Sequence, residues 1–171
     1  MLTGAVKKSG KRGRGARGKT PFLAAVSRND KGHPVYMRMS KLRSFTSREI
    51  NLWALKHLHD SCAVITDGFR PFSRICETVD LHHCLNTDGL YKDPDNTFFH
   101  WVNTMIGNVK RSIHGTYHSV SSKHLPRYLA EFNFRFNNRF QMGSMIDFFI
   151  KHAAIAKPLP RHKLKLAEDW G

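Results

Sequence analysis

Phe99-His-Trp-Val-Asn-Thr-Met-Ile-Gly-Asn-Val-Lys-Arg-Ser-Ile-His-Gly-Thr-Tyr117 is the stretch on which the reading of the fold turns. Asn103 and Lys110 stand seven residues apart, close to two turns at ~3.6 residues per turn. A helix therefore sets both on one face, with His100 and Gly107 beside them. Val102, Met105, Ile106 and Val109 recur at helical spacing on the other side and would anchor the helix in a core. Gly115, after Arg111 and His114, reads as its stop signal. The polar face is the candidate for chemistry. The plain alternative is a buried helix whose Asn and Lys only cap and solvate it.

Upstream, Pro21-Phe-Leu-Ala-Ala-Val26 and the partly alternating Pro34-Val-Tyr-Met-Arg-Met39 flank Asn29-Asp-Lys-Gly32, the pattern of a hairpin. Thr46-Ser-Arg-Glu49 is a capping box, opening a helix with Ile50, Trp53, Ala54 and Leu58 on one stripe and ending near His59. Cys62-Ala-Val-Ile-Thr66 reads as a buried strand running into Asp67-Gly68, followed by a short helix through Phe72 and Ile75. A carboxylate at the C-terminal end of a buried strand is where open α/β sheets place ligands. Asp67 beside a glycine is equally a turn-former. Asp80 to Asn86 suits another strand, and Thr87 to Thr97 a loop.

Downstream, Leu125, Leu129, Phe132 and Phe136 are spaced as an amphipathic helix, although Phe132, Phe134 and Phe136 also alternate as in a strand. Arg127, Arg135 and Arg139 fall on or near the open face of that helix. Phe140 to Ala154 reads as a last helix, and Lys157-Pro-Leu-Pro-Arg161 as the start of an extended tail.

A chain of 171 residues suits one domain with tails. Its charge is the strongest compositional signal: 28 Lys and Arg against 13 Asp and Glu give +15. Such a balance points to a polyanion, nucleic acid first. No apolar run approaches the ~18 residues of a membrane span, and the basic N-terminus lacks the apolar core of a secretory signal, so a cytoplasmic protein is expected. Cys62, Cys76 and Cys84 are odd in number and unpaired in spacing, as expected of reduced thiols. His57, His59, His82, His83 and Cys84 invite a zinc site, but without paired ligand spacing.

Residues 1–20 carry Lys7, Lys8, Lys11, Arg12, Arg14, Arg17 and Lys19 with no acid, interleaved with glycine. Such a segment cannot bury a core and reads as a basic flexible arm that contacts DNA backbone. Gly13-Arg-Gly-Ala-Arg-Gly18-Lys19-Thr20 matches a phosphate-loop pattern. A lysine-rich segment precedes it, however, and Pro21 follows, where a strand and a helix are required.

The run from Asn103 through Lys110-Arg111 to Gly115-Thr-Tyr-His118, then Lys123-His-Leu-Pro-Arg-Tyr-Leu-Ala-Glu-Phe-Asn-Phe-Arg-Phe-Asn137-Asn-Arg139, resembles the C-terminal half of bacterial insertion-sequence transposases of the ISXO-like group. Gly10-Lys-Arg-Gly-Arg-Gly15, Gly18-Lys-Thr-Pro-Phe22 and Thr66-Asp67-Gly68 match earlier blocks of the same family in order. The resemblance implies an α/β, ribonuclease-H-like mixed sheet with flanking helices. It implies two Mg²⁺ ions, with Mn²⁺ as a substitute, and DNA transposition by nicking of element ends and strand transfer to a target. Asp67 takes the second metal carboxylate of the family, Asn103 the third metal position, and Lys110 the phosphate-holding lysine seven residues on. An amide oxygen is a hard but neutral ligand that Mg²⁺ accepts, and Lys110 is a point charge for phosphate.

The family's first catalytic Asp precedes the glycine matched by Gly4, and this sequence has no acid before Asp30. The expectation is therefore a truncated, inactive transposase: arm 1–20, a partial catalytic domain 21–155 whose first strand is incomplete or missing, and a tail 156–171. Metal binding is doubtful without that Asp. The alternative is a non-enzymatic DNA-binding remnant. Homo-oligomers or mixed assemblies with full-length transposase are the protein partners implied, and no membrane.

Overall fold

The computed structural model describes residues 2–3, 19–85, 98–118, 120–158 and 160. Its strands form three two-stranded ladders. β1 (Leu2–Thr3) pairs antiparallel with β2 (Lys19–Thr20), and β3 (Phe22–Arg28) antiparallel with β4 (Pro34–Lys41). β5 (Ala63–Asp67) and β6 (Leu81–Leu85) run parallel, joined by a 3₁₀ helix over Arg70–Glu77. The helices are α1 (Ser47–His57), α2 (His100–Thr116), α3 (Leu125–Asn137) and α4 (Met142–Ile155). The class is α/β. The strands stay in separate ladders among the described residues, where a single mixed sheet was expected.

The β3–β4 hairpin is the centre of the molecule because β3 is apolar on both faces and β4 on one. Phe22, Met37 and Met39 point one way, into a core closed by Met105, Val109 and Ile113 of α2 and Leu125 and Leu129 of α3. Leu23 points the other way, into a core with Leu42, Ile50, Trp53 and Ala54 of the α1 region, Ile75 and Val79. The turn between the strands has the chemistry that its sequence promised. The Asn29 side-chain oxygen accepts the His33 N–H at 2.9 Å, and the Gly32 N–H donates to the Asn29 carbonyl at 2.8 Å. Gly32 has φ +77°, a conformation that L side chains rarely adopt.

α1 begins where the capping box put it. The Thr46 hydroxyl accepts the Glu49 N–H at 3.4 Å, satisfying one donor of the first turn. α3 is a helix, because Leu125 and Leu129 extend the stripe that the three alternating phenylalanines left ambiguous. Arg135 is exposed on it and Arg127 half-buried. Gly115 does not stop α2: the helix runs to Thr116, and the left-handed residue that follows is His118 at φ +54°. The expected loop at Thr87 to Thr97 lies outside the described residues.

Asn133 and Asn137 hold α3 against the edge of β4. Asn133 accepts the Met39 N–H at 2.9 Å and donates to the Met39 carbonyl at 3.0 Å. Asn137 does the same for Met37, at 2.8 and 3.0 Å. Four helical residues rise about 6 Å and two strand residues about 6.7 Å, so every fourth position of the helix meets every second residue of the strand. Arg139 continues the row, donating to the carbonyls of Val35 and Pro34. Side chains of a helix thus occupy the hydrogen bonds that a neighbouring strand would make, and part of the β4 edge is closed.

Candidate functional site

α2 is oriented by its apolar side. Met105, Val109 and Ile113 are buried at helical spacing, and the Trp101 indole N–H donates to the Gly32 carbonyl at 2.8 Å, tying the first turn to the hairpin loop. With that side fixed, the opposite side must face solvent. Asn103 and Lys110 are both exposed there, as are His100, Arg111 and His114. Helix α2 contains no Asp or Glu, so nothing on it offsets the charge of Lys110 and Arg111. The Arg111 guanidinium donates to the Asn108 side-chain oxygen at 2.7 Å, which holds it along the helix. The arrangement is an exposed cationic face that can receive an anion.

Asp67 ends β5, half-buried. One carboxylate oxygen accepts the Phe69 N–H at 3.3 Å, so the residue also has the turn-forming role open to it from its sequence. Cys84 donates to its backbone carbonyl at 3.6 Å. The neighbouring Thr66 is buried and bonded to the His82 ring at 2.8 Å. Burial, and then the charge of His83, hold the His82 pKa below its ordinary value.

The fold brings Asn103 and Lys110 onto one face of α2 and sets Asp67 at the end of β5, on the parallel ladder. Asp67 and Asn103 are oxygen donors of the kind Mg²⁺ takes, but together they carry one negative charge. The described residues contain no group of three His, Cys, Asp or Glu able to hold a metal ion. This donor set does not fit a pair of dications. Lys7, Lys8, Lys11, Arg12, Arg14 and Arg17 lie outside the described residues, and Lys19 falls in β2.

Of the histidines considered for zinc, His57, His59 and His82 have other partners. His59 sits 2.6 Å from the Asp60 carboxylate, and the His57 ring lies 5.0 Å from that of Trp53. Burial, then Arg38 and Lys56, lower the His57 pKa to about 4 from 6.5. A folded-state pKa below the unfolded value means that the unfolded chain takes up the proton first as pH falls. Stability from this site is therefore complete above about pH 6.5 and is lost between there and about pH 4. The urea midpoint of the wild type should drop across that window, and His57→Gln should flatten the drop. Equal acid sensitivity in the two proteins would contradict the assignment.

Sequence reasoning missed Asn133, Asn137 and Trp101. A signal existed for the first: Asn133 continues the line of Leu125 and Leu129, where a polar residue on a buried stripe needs a partner.

A family model described as an ISXO2-like transposase domain matches residues 2–137. No curated protein and no solved structure matches the chain. No described helix is long and apolar enough to cross a membrane.

Proposed function

The chain belongs to the ISXO2-like transposase family, and from that membership we propose that it engages the DNA of an insertion element through the exposed face of α2. The observation that carries the reading is the placement of Asn103 and Lys110 on one solvent-facing, acid-free side of a helix whose other side is locked in the core. Lys110 holds a backbone phosphate as a point charge, and Asn103 hydrogen-bonds beside it. The basic arm adds contacts to phosphates along the duplex, which position the protein without reading bases. An antiparallel hairpin, a parallel strand pair and covering helices are elements that a ribonuclease-H-like fold also contains, and this supports that fold for the domain.

The reaction of the parent family is hydrolytic nicking at element ends, followed by attack of the freed 3′-hydroxyl on target DNA. It uses two metal ions to activate the attacking oxygen and stabilise the leaving one. Asp67 and Asn103 would be the metal-facing residues of this chain, and their single charge favours DNA binding without nicking. The chain then acts on transposition by occupying DNA, or by assembling with other copies of the transposase.

The test is a nicking assay on supercoiled plasmid carrying element ends, with Mg²⁺ or Mn²⁺, run beside a binding assay on the same DNA. Wild type should bind and should nick no faster than Asp67→Ala. Metal-dependent nicking that disappears in Asp67→Ala would overturn the binding-only reading and assign Asp67 to catalysis.

A further inference from the structure

We propose that Gly107 is a clearance point at which a DNA phosphodiester meets the α2 backbone, a reading that rests on the DNA-binding function above. His100, Asn103, Gly107, Lys110 and His114 recur at steps of three, four, three and four residues, which is one straight stripe along α2 whose four side chains are exposed and whose glycine is half-buried. Gly107 is the middle of that stripe and the eighth of the helix's 17 residues. A glycine in a helix interior weakens it relative to alanine, so some constraint should explain its presence.

Two common constraints are absent. A Cβ added at Gly107 would meet no atom of the described residues within 4 Å, so their packing does not demand glycine. Its φ is not positive, so the backbone does not demand it either. Gly115 and Gly143 share both properties, but they lie in the last turn of α2 and the first turn of α4, where the helix loses less. What distinguishes Gly107 is its surroundings: Lys110 and Arg111 one turn on, His100 and His114 two turns away on either side, and no acid on the helix. A side chain here would stand between those groups and an incoming anion. Without one, a phosphate reaches the helix surface while Lys110 and Asn103 close on it from both sides. The occupant is DNA backbone because the stripe is cationic on a chain of +15 and offers no apolar seat for a protein.

Function and stability are expected to move in opposite directions. Gly107→Ala should raise Tm by roughly 2–4 °C through helix propensity. Gly107→Leu should weaken binding to a duplex by about tenfold, the size of one lost charge-assisted contact, without lowering Tm. Thr116→Leu, nine residues on and on the opposite side of the helix, should leave affinity unchanged. The arm is the same in every variant, so affinity ratios report on α2. Gly107→Leu binding as tightly as wild type would overturn this inference and leave the DNA-binding reading standing. Failure of the wild type to bind DNA would overturn both. A fall in Tm of Gly107→Leu beyond a few degrees would show that the glycine serves packing, and would also overturn it.

Discussion

Asn133→Ala is expected to destabilise the fold by about 4 kcal/mol, because it strips two buried backbone groups of their partners at roughly 1–3 kcal/mol each. Met39 is 2 % exposed and Asn133 7 %, so water cannot replace the lost amide. For a chain of this length that corresponds to a fall in Tm of roughly 10 °C. Asn133→Asp separates the two halves of the bond. It can still accept the Met39 N–H, but it can no longer donate to the Met39 carbonyl when ionised. Burial and that carbonyl hold the new carboxyl protonated in the folded state, so stability of this variant should decline as pH rises through its folded pKa. Asn137→Ala, at a half-buried position, should cost less than Asn133→Ala. Urea denaturation of the three variants is the measurement, and an Asn133→Ala loss below about 1 kcal/mol would refute the edge-clamp role.

The second large effect is on DNA binding. Should all seven arm cations, from Lys7 to Lys19, contact phosphates, the logarithm of affinity falls with the logarithm of salt at a slope of about −6. Raising monovalent salt from about 50 to 200 mM would then weaken binding by between three and four powers of ten. Replacing the seven by Gln should flatten the slope to the few contacts that α2 supplies, and it should leave any sequence preference unchanged, since phosphate contacts carry none. Fluorescence anisotropy on a labelled duplex across a salt series reads both quantities. An unchanged slope in the substituted protein would place the binding surface elsewhere.

These two expectations mark the two ways in which the chain was readable. The arm is a matter of composition: seven cations, no acid and interspersed glycine in residues 1–20 announce a polyanion partner without any fold. The secondary structure was legible wherever a local rule applied. Thr46 and Glu49 start α1 through the Thr46 hydroxyl and the Glu49 N–H, Asn29 to Gly32 turn the hairpin, and the four-residue spacing of Met105, Val109 and Ile113 assigns the inner side of α2. Asn103 and Lys110 share the outer side by the same arithmetic.

One failed reading was local, and in the other the deciding atoms were far away in sequence. Gly115 looked like a stop because glycine is a general helix terminator, yet α2 continues to Thr116, and His118 takes the left-handed turn. Asn133 and Asn137 looked like parts of a family signature. Their amides bond to Met39 and Met37, about a hundred residues upstream, and no periodicity within α3 reveals a strand edge.

From the sequence alone came the α/β class, the order of elements from β3 to α4, the basic character of residues 1–20, the membership in a transposase family and the pairing of Asn103 with Lys110 on one helix side. All of these rest on local backbone preferences, on spacing, or on charge that needs no partner. Tertiary structure alone decided that the hairpin packs against two separate cores, that the β4 edge is closed by asparagines, and that nothing among the described residues packs closely over Gly107. Each of these depends on which surfaces exclude water from one another. Burial couples residues across the whole chain, and so it is settled only when the chain has folded.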